Sequence, residues 1–138
     1  MKNRIAFLTL LLGATLAGAT AMAQTGARFN IPFDFNANHH FVPAGTYNVR
    51  LVDAGQKLTL LNLQTGRTTL LMVTRNEGRQ LEQTGTLVFW SKDGNYYLQE
   101  VRMPGSLLHG ELPLPRALQL EIAQLQQPAP PTIQIASK

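Results

Sequence analysis

The sequence predicts a mainly β domain, a small antiparallel meander of about six strands, barrel- or sandwich-like, with one short C-terminal helix. Three observations carry this. Glycines recur at positions 45, 55, 66, 78, 85, 94 and 105, the spacing of short strands joined by turns. Between them, apolar and polar residues alternate with the period of a half-buried strand. After Met103-Pro104-Gly105 the period becomes helical, with Leu114, Ala117, Leu118, Ile122 and Leu125 on one face.

The N-terminus reads as an export signal. Lys2 and Arg4 precede an apolar run at residues 5–12, small residues follow, and Ala21-Met22-Ala23 offers a signal-peptidase site, so residues 1–23 are read as a signal peptide. A membrane anchor would want about twenty strongly apolar residues, and glycine, threonine and alanine dilute the second half of this stretch. Cleavage leaves residues 24–138, 115 in all, the length of one domain. The chain has no cysteine, so it depends on packing rather than on disulfides. An exported protein is expected, periplasmic or extracellular, with no stable membrane span after cleavage. Losing Lys2 and Arg4 lowers the formal charge from +4 to +2. Arg50, Arg67, Arg75, Arg79 and Arg102 are scattered, and no stripe forms that would track a phosphate backbone. Nucleic acid is not an expected partner.

Residues 24–125 are read as a single β-rich domain. Phe29, Ile31, Phe33 and Phe35 share one face of a first strand, which Pro32 places at an edge or a bulge. Tyr47, Val49 and Leu51 alternate in a second. Residues 57–63 place Leu58 and Leu60 on one face but Leu61 and Leu63 on the other. Residues 68–74 oppose Leu70 and Met72 to Leu71 and Val73. Such strands are expected to be covered on both faces or to contain a phase-shifting bulge. Residues 75–85 read as a polar connection. Asp93-Gly94 then marks a hairpin that sets Trp90 across from Tyr97 or Tyr96, depending on turn length. The helix is expected over residues 113–126, packed on one opening of the meander. Residues 126–138 read as a flexible proline-rich tail. Because about eight strands are needed before a barrel holds even a small ligand, the interior should be filled.

Residues 31–35 (IPFDF), 42–49 (VPAGTYNV) and 110–113 (GELP) resemble a group of small secreted bacterial β-proteins that share an IPFxF strand, a PAGxYxV strand and a late GxELP segment. The likeness spans most of residues 31–125. It implies a fold and an exported location, and no activity.

His39 and His40 stand between two strands and cannot easily chelate one metal, because neighbours on a strand point to opposite faces. They read as a polar loop tip. Zinc would need three or four ligands, and only His109, with Asp34 or Glu111, could add to them. No metal site, cofactor or catalytic residue is therefore assigned. Ser106, three residues before His109, is the one serine with a base nearby in sequence, and no nucleophile elbow surrounds it. Trp90, Tyr96 and Tyr97, with His39 and His40, are the candidate binding residues, because aromatic side chains on an outer strand face suit glycan or peptide contacts. The expected function is a non-catalytic exported domain that binds a protein, glycan or envelope partner. The alternative is a small exported enzyme with a histidine or metal site at one end of the barrel. Convergence of His40, His109 and Glu111 would favour the enzyme, and an exposed apolar patch without it the binding domain. Mass spectrometry of the exported protein should find a chain beginning at Gln24. A mature chain retaining Lys2 would defeat the export reading.

Overall fold

The computed structural model describes residues 26–125 and 132–138. The expected signal peptide, residues 1–23, lies outside them. In chain order the strands are β1 (Gly26–Ile31), β2 (Phe35–Ala37), β3 (His40–Val42), β4 (Gly45–Val52), β5 (Lys57–Asn62) and β6 (Thr68–Met72). There follow β7 (Thr74–Glu77), β8 (Thr86–Lys92), β9 (Asn95–Arg102), β10 (Leu108–Glu111), the helix α1 (Arg116–Leu125) and β11 (Thr132–Ala136).

The mainly β expectation holds, in its sandwich-like form. One antiparallel sheet has the order β1-β4-β5-β6, and the other β11-β8-β9-β10-β7. The β2–β3 hairpin joins the larger sheet through a parallel contact of Asn36 with Tyr97. The barrel does not close. At Val73 the chain leaves the small sheet as β6 and enters the large one as β7, and these two strands pair only with β5 and β10. The strands number eleven among the described residues, more than expected, because corners at residues 32–34 and 73 cut long segments in two and because β3, β10 and β11 form in stretches not read as strands. Pro32 has no N–H for the ladder, which accounts for the end of β1 at Ile31.

The two sheets bury Phe29, Ile31, Tyr47, Val49, Leu58, Leu60 and Leu71 against Leu87, Phe89, Leu98 and Val101. Phe35 meets Tyr47 and Phe89 edge to face, at ring separations of 6.3 and 5.1 Å. Phe33 is half-buried and stacks on Tyr96 at 3.9 Å. Asp34 accepts the Ala44 N–H at 2.8 Å, so the IPFDF and PAGTY segments are tied directly.

The ambiguous middle strands are neither covered on both faces nor shifted by a bulge. The irregularity lies between Val88 and Phe89 instead. In β5 the inward positions are Leu58, Leu60 and Asn62, leaving Leu61 exposed. In β6 Leu71 faces inward, and Leu70 and Met72 are each 56% exposed. A polar residue holds an inward position because its amide is satisfied. Asn62 Oδ1 accepts the N–H groups of Gln64 and Thr65 at 2.8 and 3.1 Å, and its Nδ2 donates to Tyr47 Oη at 3.1 Å. Tyr47 Oη donates in turn to the Pro43 carbonyl at 2.6 Å.

The β8–β9 and β2–β3 hairpins each turn on two residues with positive φ, the geometry that matches strand twist. Asp93 and Gly94 adopt φ 49° and 77°, which sets Trp90 opposite Tyr97. Asn38 and His39 adopt φ 45° and 66°, with His40 opening β3. The helix begins at Arg116, later than expected, because Leu114 precedes a proline and is disfavoured from helical geometry. The Pro115 carbonyl accepts the first N–H groups, those of Leu118 and Gln119. Rather than covering an opening, α1 is tied to the end of β8 by the Lys92–Glu121 ion pair.

The tail expectation needs correction too. Residues 126–131 lie outside the described residues, but Thr132–Ala136 alternates with strand period and pairs with β8. Ile133 and Ile135 pack against the core, and Lys138 N–H donates to Arg28 C=O at 3.1 Å.

After β4, a 3-10 turn holds exposed Ala54 at φ 55°, where a Cβ costs roughly 1–2 kcal/mol and glycine costs little beyond its unfolded-state entropy. Ala54→Gly should therefore raise stability by about 0.5–1 kcal/mol in urea denaturation. A loss of stability would contradict the left-handed geometry.

Candidate functional site

Three features on the surface could carry function: a charged cluster on the large sheet, two grooves at the hairpin ends, and an apolar face on the small sheet. The cluster was not anticipated. Glu100 and Arg102 point outward from β9, and His109 on β10 is the cross-strand neighbour of Arg102. Arg102 Nε and Nη2 donate to the two Glu100 oxygens at 3.0 and 3.1 Å, and His109 Nδ1 lies 3.0 Å from Glu100 Oε1. Glu82 reaches in from the segment expected to be a plain connection, its Oε1 3.6 Å from His109 Nε2. That segment is fastened by backbone bonds from Gly78 N–H to Leu107 C=O and from Gly105 N–H to Glu82 C=O. Hydrogen bonding to Glu100 raises the Arg102 guanidinium above its ordinary value. Burial opposes the shift, and the charges of Glu100 and Glu82 add to it. Since the folded form holds that proton more tightly, the stabilisation is present at neutral pH, where the carboxylates are charged, and as pH rises is lost only in strong alkali.

This cluster is a brace rather than a reactive centre. A general base needs an accessible nitrogen. His109 Nδ1 is directed at Glu100, while Nε2 is buried with no hydrogen-bond partner among the described residues. Gly78 packs so closely over the ring that a Cβ there would lie 2.6 Å from Cε1 and 2.7 Å from Nε2. Ser106 Oγ is occupied by the Leu108 N–H at 2.9 Å and makes no hydrogen bond to His109. Glu111 accepts from Asn76 at 2.7 Å, and His40 lines a groove with Tyr47, Arg67 and Thr69. Among the described residues no group of three or more His, Cys, Asp or Glu side chains is placed to hold a metal ion.

The predicted binding residues separate. Trp90 is 4% exposed and offers no outer platform. Tyr96 is engaged with Phe33. Tyr97 lies 6.1 Å from Trp90 and joins His39, Asn36, Asn38, Pro113 and Pro115 around a groove of about 280 Å³. His40 faces the separate groove, of about 560 Å³, between β3 and the β5–β6 hairpin. His39 and His40 thus belong to different surfaces.

The third feature was missed altogether. Leu61, Leu63, Leu70 and Met72 are exposed on the outer side of β5, β6 and the turn between them, and Phe41 is 67% exposed on β3. Its trace in the sequence is the pair of doublets Leu60-Leu61 and Leu70-Leu71, read there as covered on both faces or shifted in phase by a bulge. No family model, curated protein or solved structure matches the chain.

Gly78→Ala should force the imidazole away from Glu100 and cost about 1–3 kcal/mol, as overpacking does. Guanidinium denaturation measures it, and a cost near zero would show that the brace does not depend on this contact.

Proposed function

We propose that the chain is an exported, non-catalytic binding domain whose partner is a protein docked on the outer face of β5 and β6. The likeness of its IPFxF, PAGxYxV and GxELP segments to small secreted bacterial β-proteins belongs to the same proposal. One observation carries it: Leu61, Leu63, Leu70 and Met72 share an exposed face at a sheet edge. Leucine and methionine side chains gathered at one place in water mark an interaction surface far more often than scattered ones do. The enzyme alternative draws its residues from elsewhere, since His40 is apart from His109 and the reactive face of His109 is covered.

A photoreactive residue installed in the exported chain tests this. Placed at Leu61 or Leu63, it should give discrete protein adducts in intact cells, whereas at Asp93, the exposed tip of the β8–β9 hairpin, it should give none. Equal labelling from Asp93, or none from either leucine, would overturn the reading.

A further inference from the structure

We infer that a second copy of the chain joins the small sheet edge to edge through β6, about a two-fold axis beside Leu70. The inference rests on the binding reading above, whose apolar face the pairing continues into the second copy.

The backbone supplies the first argument. Asn62 N–H donates to Arg67 C=O at 2.8 Å, and Val73 N–H donates to Gln56 C=O at 3.0 Å. Both contacts extend the β5–β6 register, in which Leu61 faces Thr68 and Lys57 faces Met72. Hydrogen-bonded pairs alternate along an antiparallel ladder, so Thr69 and Leu71 also bond inward to β5. The N–H and C=O groups of Thr68, Leu70 and Met72 therefore point out of the sheet edge. No described residue meets them there.

These three residues are symmetric about Leu70. A two-fold axis beside it sets Leu70 opposite its own copy and Thr68 opposite Met72 of the other chain, and each such pair exchanges two backbone bonds. Every outward group of both strands then has a partner. No foreign sequence is required to complete the ladder.

Side chains and charge agree with the same axis. Leu70 faces Leu70 across it, and Met72 enters a row with Thr68 and Leu61 of the second copy, covering surface now in water. Edge strands are commonly guarded by charge, proline or brevity. Two other strands carry such guards: β7 has the Arg75–Glu77 ion pair, and β3 has only three residues and runs into Pro43. By contrast, β6 is Thr-Thr-Leu-Leu-Met, uncharged and regular. The nearest cation in the row, Lys57, is paired with Asp53, so the two-fold sets no unneutralised like charges together there.

Because the chain has no cysteine, single cysteines report the register directly. The exported chain should sediment as a monomer–dimer equilibrium whose dimer is lost in Leu70→Lys, with the circular dichroism spectrum unchanged. Leu70 is exposed, so the fold should tolerate the change, and Met72→Lys is a second variant expected to behave alike. Under mild oxidation Leu70→Cys should form a covalent dimer. Thr68→Cys and Met72→Cys should each form no covalent dimer alone and cross-link when mixed. A wild-type chain that is monomeric at every concentration overturns the inference, as does cross-linking of Thr68→Cys to itself as efficient as that of Leu70→Cys. If that monomer still gives Leu61 and Leu63 adducts with the mass of another protein, the binding reading survives alone. If it gives no adducts, both fall.

Discussion

The rest of the structure depends on how one buried amide is satisfied. Asn62 stands at the inward end of β5, 5% exposed, beside a core built otherwise from apolar side chains. Leaving such a group without partners would cost about 1–3 kcal/mol. It has them on both sides. Its oxygen closes the β5–β6 turn by accepting two N–H groups, and its nitrogen reaches the Tyr47 hydroxyl, itself anchored to the Pro43 carbonyl. One network thus fixes the end of β3, the start of β4 and the turn into β6.

The phase of the small sheet follows from that network. A one-residue slip flips every side chain of a strand to the other face. In β5 a slip would exchange Leu58 and Leu60 for Leu61 and Leu63, but it would also turn Lys57 and Thr59 toward the core, so the first half of the strand resists it. At the far end Asn62 holds the same phase, because only that phase carries its amide to Tyr47. The phase held this way leaves leucines in water. Leu61 and Leu63, and with them Leu70 and Met72 on β6, lie outside the central core. This links the sequence pattern to the binding reading.

The large sheet solves a different problem. Its outer face at β9 and β10 is held by charge, with Glu100 shared between Arg102 and His109 and the loop of Glu82 folded over them. The imidazole, which in isolation suggests chemistry, is spent on holding a loop. Gly78 is glycine there because the ring occupies the space of a side chain.

The mainly β class, the Asp93-Gly94 hairpin and the short C-terminal helix were legible in the sequence, because turn chemistry and hydrophobic period are local properties. The Trp90–Tyr97 pairing was legible as one of two registers, and the positive φ of Asp93 and Gly94 selects it. Whether the sheets close, what Glu82 touches, and the ordering of residues 132–136 on β8 depend on segments far apart in the chain, which no local period encodes. The two faces of β5 and β6 are the clearest case. By itself the sequence determined that leucines lie on both sides of these strands. Only the tertiary structure decided which side meets the opposite sheet and which meets water, because the bond that satisfies inward Asn62 joins it to Tyr47 across fifteen residues.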